Sequence, residues 1–282
     1  MSDQESPIVD GYTSDLSWRS FFIEMYFNET PLSSGTCCFV MSKSGPTLIT
    51  NRHNFTGRNN LTGKPLHSKA GIPNNAVIIF PGIKERKYHI DLFDHQDPQQ
   101  SVWVEHPSLG EKADIVALAM KETKNIIAKN ECIDLDEDWH KAVVGTDVQV
   151  VGFAFGAISW PFPIWLKGCI ASEPAIPFSQ LPVFLIDCRA RTGMSGSPVF
   201  VQHRTGDIIR HGEKIFQAKE DSSNFVGIYS GRIRGDSDLG MVWNKQCVKE
   251  LIDYTDEVGV QHRMEKSRHN FKVKRSKNPR LE

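Results

Sequence analysis

The sequence predicts an all-β fold, a barrel or a sandwich, closed by one late helix. Three observations carry this expectation. Short apolar or alternating runs recur along the chain, Gly, Pro and Asn turns separate them, and only residues 243–254 show helical spacing. At 282 residues the chain can form one large β domain or two packed ones.

Residues 1–18 read as a loose leader rich in Ser, Asp and Pro. A first strand is expected over 19–27 and a second over 35–41, GTCCFVM. The Ser44-Gly45-Pro46 turn leads into a strand at 47–50, which meets Asn51-Arg52-His53. The polar stretch 54–75 reads as loop. Short strands follow at 76–81, 88–93 and 101–105, then a compact apolar strand at 115–120 directly after Ala113-Asp114. Residues 121–145 are polar and are expected to cross from a first half to a second. Strands at 147–153, 164–172, 183–187, 198–202 and 225–230 build that second half. In the helix, Val248, Leu251 and Ile252 recur at three-to-four spacing. The expected organisation is a leader at 1–18, a first half at 19–135, a second half at 136–258 and a tail at 259–282.

Composition narrows the function classes. Apolar residues make up 39% and charged residues 24%, as in soluble globular proteins. No run reaches the ~18 apolar residues of a membrane span, so no membrane partner is expected. The acidic, polar N-terminus has neither a basic start nor an apolar segment, which argues for a cytoplasmic location. The six cysteines lack CxxC spacing and read as buried free thiols. Neighbours Cys37 and Cys38 would point to opposite faces of a strand. Charge is unevenly spread: residues 259–282 hold eight Lys and Arg against Glu265 and Glu282, a net of +6 that leaves −7 on the first 258 residues. Such a tail either stays solvated or contacts nucleic acid or another polyanion. Phe271 is its lone aromatic, so no stacking ladder supports single-strand recognition.

The sharpest local signal is Arg191-Thr192-Gly193-Met194-Ser195-Gly196-Ser197-Pro198-Val199-Phe200. Glycines on both sides of one serine allow a tight turn with little bulk over the hydroxyl. The amides of Gly193 and Ser195 can then converge as an oxyanion hole. An α/β-hydrolase elbow is excluded, because Ser197 rather than glycine stands two residues after Ser195. No G-x-G-x-x-G precedes a helix, so nucleotide chemistry has no local support. A serine hydroxyl needs a base and an orienting group. His53 stands where an apolar strand passes into a loop, and Asp114 precedes the run Ile115–Met120, a shielded place where a carboxylate needs a partner. His53, Asp114 and Ser195 follow in that order with gaps of 61 and 81 residues. His89, Asp91 and His95 are better explained as a solvated strand and turn than as zinc ligands, and neither metal nor cofactor is expected.

Four motifs carry a family resemblance: GTCCFV…TLITNRHN with His53, ADIVALAM with Asp114, RTGMSGSPVF with Ser195, and FVGIYSGR at 225–232. Over about residues 19–255 the chain resembles trypsin-like (chymotrypsin-fold) serine endopeptidases, in the bacterial branch that includes glutamyl endopeptidases. The resemblance implies two packed six-stranded antiparallel β-barrels with a C-terminal helix and a triad in the cleft between them. It casts His53 as general base, Asp114 as its orienter and Ser195 as nucleophile, with Gly193 and Ser195 as the oxyanion hole. It implies substrate contacts from Arg189, Ala190, Arg191 and Thr192 on one pocket wall and from Gly227, Tyr229, Ser230, Gly231 and Arg232 on a substrate-pairing strand. The implied partner is a protein or peptide substrate, with no cofactor. The alternative is a silent or partner-activated protease-fold module.

Four departures stand out. Met194 replaces the aspartate with which secreted members grip a freed N-terminus. Asn54 follows His53 where the family usually has a disulfide cysteine, whose lost partner falls near Cys37 or Cys38. Arg189 takes the position where trypsin-like pockets carry aspartate. Either it forms a buried pocket cation favouring an acidic P1 side chain, or Arg189 and Arg191 point to solvent at the rim. Tyr229 stands where glutamyl endopeptidases tend to carry histidine.

Overall fold

In the computed structural model, residues 13–81, 86–120, 126–136, 142–156, 162–211 and 214–259 are described. The first half runs β1 (Phe21–Phe27), β2 (Thr30–Ser42), β3 (Gly45–Thr50), the one-turn helix α1 (Arg52–Thr56), β4 (Asn75–Phe80), β5 (Arg86–Asp91), β6 (Val104–Glu105), β7 (Val116–Ala119) and β8 (Cys132–Ile133). The second comprises β9 (Asp147–Gly152), β10 (Ile164–Ile170), β11 (Val183–Asp187), β12 (Pro198–His203), β13 (Ile208–His211), β14 (Lys214–Gln217), β15 (Ser222–Arg232) and β16 (Leu239–Asn244), followed by helix α2 at 245–259.

Alternation explains the first half. Phe21, Ile23 and Met25 of β1 are fully buried, and β1 pairs antiparallel with both β2 and β4. Strand β2 changes its antiparallel partner midway, pairing β1 through Cys37 and β3 from Cys38 onward. Cys37 consequently faces the first-half core with Phe39 and Phe55, while Cys38 faces the layer between the halves with Ile49, Val151 and Val248. All six cysteines are free, and burial pushes the Cys38 thiol far above its usual range, which leaves it an inert core side chain.

The second half closes as a six-stranded barrel in the order β10-β11-β16-β15-β12-β9. Val150, Ile186, Val199, Val242 and Met194 fill it. The fold is all-β with a C-terminal helix, as the sequence predicts. One detail differs, because the first half is an eight-stranded sheet, β5-β4-β1-β2-β3-β7-β6, with β8 added in parallel to β2. Strand β6 is only two residues long, and beyond β5 the ladder continues through the single bridge Phe93–Ser101. The hairpin β13–β14 lies in a region where no strand was expected, since its strands alternate only weakly. Val248, Leu251 and Ile252 of α2 seal the layer between the halves.

Beyond Gly259 the basic tail lies outside the described residues, as do residues 1–12 of the leader. No helix among the described residues is long and apolar enough to cross a membrane.

Candidate active site

Asp114 sits just ahead of β7 between the fully buried Ala113 and Ile115, and it is itself buried. Its carboxylate accepts three hydrogen bonds: from the His53 amide at 2.9 Å, from His53 Nδ1 at 2.6 Å and from Ser230 Oγ at 2.6 Å. A carboxylate can only accept, so the neutral His53 ring carries its proton on Nδ1 and leaves the Nε2 lone pair available. Among the described residues Nε2 has no hydrogen-bond partner.

The handover from β3 to α1 places the ring. Asn51 ends the strand in extended conformation, and its side-chain amide grips the Asp114 carbonyl at 2.6 Å. Two residues later His53 stands in the first turn of α1, with its side chain 14% exposed. Burial taken alone would depress the imidazole pKa. The charge and hydrogen bond of Asp114 outweigh it and hold His53 above its ordinary value of 6.5.

Ser195 lies on the turn ahead of β12, half-buried. The turn is closed by Met194 N–H to Arg191 O at 3.1 Å and Ser197 N–H to Met194 O at 3.0 Å. Met194 is fully buried in the barrel core beside Ala190 and Tyr229. Two glycines are required here. Gly193 has φ +94° and Gly196 φ +90°, and a Cβ would collide with Phe153 O at the first and Thr36 O at the second. The amides of Gly193 and Ser195 donate to nothing among the described residues. The Thr192 carbonyl is held at 2.6 Å by Phe155 N–H, and a planar trans peptide then directs Gly193 N–H the opposite way.

Ser195 reaches the His53 side of the cleft through its backbone. Its carbonyl accepts from Thr36 N at 2.8 Å and from Asn54 Nδ2, the neighbour of His53, at 3.4 Å. Among the described residues no hydrogen bond joins Ser195 Oγ to the His53 ring, and the hydroxyl has no other partner. Catalytic hydrogen bonds are often long in unliganded sites and tighten when substrate arrives.

Ser230, Gly231 and Arg232 end β15. Gly231 and Arg232 pair with Met241 and Gly240 of β16, whereas hydrogen bonding on the β12 side ends at Tyr229, whose N–H donates to Ser197 O and whose carbonyl accepts from Gly196 N–H. The other edge is thus open beside Ser195, where an extended peptide can pair. Tyr229 is buried against Gly240, and burial pushes its hydroxyl well above the usual tyrosine range. Gly227 packs against Trp243 O. Ala190 is buried in the wall and Thr192 is exposed. Arg189 is 85% exposed and 3.9 Å from Asp238, and Arg191 also reaches toward Asp238 at 3.9 Å, so both arginines lie at the rim. Opposite Asn54 the chain has Gly35, not Cys37 or Cys38; a Cβ on Gly35 would lie 2.6 Å from Asn54 Nδ2. His95 meets Asp91 at 3.1 Å in the open, and among the described residues no group of three or more His, Cys, Asp or Glu could hold a metal.

Sequence reasoning missed Asn51, Thr36 and Phe155. Nothing local marks the last two, whose partners lie far along the chain. Asn51 offered one signal, an Asx residue directly after an apolar strand and two positions before His53, although its side chain bonds Asp114 O and does not cap α1.

The sequence matches no family model and no curated protein. Among solved structures the chain is similar to the serine endoprotease from Yersinia pestis, with a TM-score of 0.51, 11% identity and coverage of 87% of this chain and 67% of that one. It is also similar to the thermostable serine protease AL20 from an extremophilic microorganism, with a TM-score of 0.51, 11% identity and coverage of 86% and 98%. At this identity the likeness establishes the trypsin-like fold.

Proposed function

We propose that the chain is a serine endopeptidase whose triad is His53, Asp114 and Ser195. One observation carries the proposal: an imidazole pinned through Nδ1 by a buried carboxylate lies on the segment that meets the Ser195 turn, where the amides of Gly193 and Ser195 have no partner among the described residues. The halves at 19–135 and 136–258 contribute different parts. The first supplies base and orienter, the second supplies nucleophile and oxyanion donors.

The chemistry follows from those positions. Ser195 Oγ attacks the scissile carbonyl while His53 Nε2 takes its proton. The carbonyl oxygen becomes an anion, received by the N–H groups of Gly193 and Ser195. The tetrahedral species collapses, the C–N bond breaks, and the imidazolium gives its proton to the leaving amine. Water, deprotonated by the same ring, then cleaves the acyl-enzyme and restores Ser195. Asp114 keeps the tautomer and stabilises the imidazolium without accepting its proton. The substrate backbone pairs with the open edge at Ser230–Arg232, with Ala190, Thr192, Gly227 and Tyr229 shaping the neighbouring wall and Arg189 and Arg191 at its rim.

A closer tie to glutamyl endopeptidases rests on the four sequence motifs and has no counterpart in the pocket wall. With Tyr229 in the histidine position and Arg189 in solvent, the described wall offers no buried cation for an acidic P1 side chain. Six unpaired cysteines support a reducing, cytoplasmic setting.

The test is labelling by a fluorophosphonate probe, paired with cleavage of an unbiased peptide library. The wild type should label and cleave, and Ser195→Ala should do neither while keeping its fold. Equal labelling of the two proteins would remove Ser195 as nucleophile. The unformed Ser195–His53 hydrogen bond favours one rival, a module silent until a partner orders the site. That reading requires an unlabelled wild type that reacts once a protein activator is added.

A further inference from the structure

Thr36 touches both sides of the cleft. It is fully buried at the point where β2 passes from β1 toward β3. A threonine hydroxyl has one proton to give and lone pairs to receive. Thr36 Oγ1 donates to Gly193 O at 2.8 Å and accepts from Phe153 N at 3.1 Å. Its main chain adds two bonds, N–H to Ser195 O at 2.8 Å and C=O from Thr50 Oγ1 at 2.8 Å. Of these four partners, Gly193, Phe153 and Ser195 belong to the second half.

We propose that Thr36, on the opposite half of the molecule, is the positioning residue that holds the oxyanion loop in its donating geometry; this rests on the endopeptidase reading above. Gly193 belongs to two peptide units. The preceding unit is turned by Phe155 N–H on Thr192 O, and the following unit by Thr36 Oγ1 on Gly193 O. With both units tethered, the Gly193 amide has one direction left to it. Glycine at φ +94° has no side chain to impose that direction itself, so the tethers supply what a Cβ would otherwise restrict. Phe155 shows the cost of the arrangement. It adopts φ +59°, rare for a non-glycine residue, and is 74% exposed despite its aromatic side chain, while its N–H reaches Thr192 O. The Thr36 hydroxyl joins the two tethers, because it also fixes Phe153, two residues before Phe155. The loop that receives the anion is thereby keyed to the half that carries His53.

The experiment compares Thr36→Val, which keeps shape and main chain but loses the hydroxyl, with Thr36→Ser, which keeps the hydroxyl. The readouts are the inactivation rate constant and the half-saturation for a fluorophosphonate probe, as functions of pH, well below each variant's Tm. Thr36→Val should lower the rate constant about 10- to 100-fold, the scale of a small misplacement of reacting groups. Half-saturation and the pH midpoint, which reports the untouched His53–Asp114 pair, should stay put. Thr36→Ser should restore most of the rate. A folded Thr36→Val that inactivates at the wild-type rate would overturn the proposal, as would a loss that Thr36→Ser fails to recover. If Thr36→Val does not fold, the smaller Thr36→Ala takes its place with the same readouts. A wild type that never labels would instead count against the endopeptidase reading.

Discussion

Ser230 Oγ donates to Asp114 Oδ2 at 2.6 Å, so a strand of the second half completes the coordination of a first-half carboxylate. The family resemblance implies for Ser230 a place among the substrate-pairing residues and does not point to this contact. A buried hydrogen bond to a charged group is worth about 1.5–3 kcal/mol. Ser230→Ala is therefore expected to lose about that much stability in urea unfolding. It should also move the acid limb of the labelling rate to higher pH, because a carboxylate with one donor fewer holds the imidazolium more tightly. An unmoved acid limb would show that the contact is structural only.

The elevated pKa of His53 predicts the sign of the pH dependence. In the proposed mechanism the ring takes the serine proton only when neutral, so the labelling rate should rise with pH through a midpoint above 6.5. Asp114→Asn removes the charge that raises it and leaves the burial that lowers it. The midpoint should then fall, and the rate with it by about 10⁴-fold, since the tautomer is no longer imposed. A pH–rate profile of fluorophosphonate labelling reads both quantities. A midpoint that rises in Asp114→Asn would contradict the assignment of Asp114 as the partner.

The strands were legible because apolar spacing and turn residues act locally, and α2 because Val248, Leu251 and Ile252 face one layer. The His53–Asp114 contact was legible through residue type and order, since a shielded aspartate must find a donor. Other features were not local. Gly35 opposite Asn54, Thr36 beneath Gly193 and Phe155 against Thr192 each join positions far apart in the chain. No periodicity announces such pairs. Arg189 could be read as pocket or rim, and only the placement of Asp238 beside it in solvent separates the two. The hairpin β13–β14 escaped notice because a two-stranded ribbon needs no strongly apolar face.

Gly196→Ala should be a strongly damaging single-methyl change in the turn. A φ of +90° costs an alanine about 1–3 kcal/mol on its own. The new methyl would also strike Thr36 O, a main-chain atom that cannot swing aside. Gly206→Ala is the control, with φ +97° but open space where its Cβ would be. Urea midpoints should fall modestly for Gly206→Ala and far more for Gly196→Ala. Similar losses in both would mean that the halves do not approach as closely as Thr36 and Gly196 indicate.

Met194 predicts independence from a freed N-terminus. The fully buried thioether lies in the barrel core with Ala190, Tyr229 and Val242, next to Ser195 in sequence. An uncharged side chain has nothing to offer a terminal ammonium, so the turn is ordered here by apolar packing. Protein bearing an uncleaved N-terminal extension should consequently label at the rate of the unextended chain. Met194→Leu, nearly equal in volume, should cost less than about 1.5 kcal/mol and retain labelling. Met194→Ala leaves a cavity and should cost about 2–5 kcal/mol, with slower labelling as the turn loosens. Thermal melts and labelling rates on the three proteins separate the possibilities: if removing the extension raises the rate sharply while Met194→Ala leaves it unchanged, a released terminus rather than the buried Met194 orders the site.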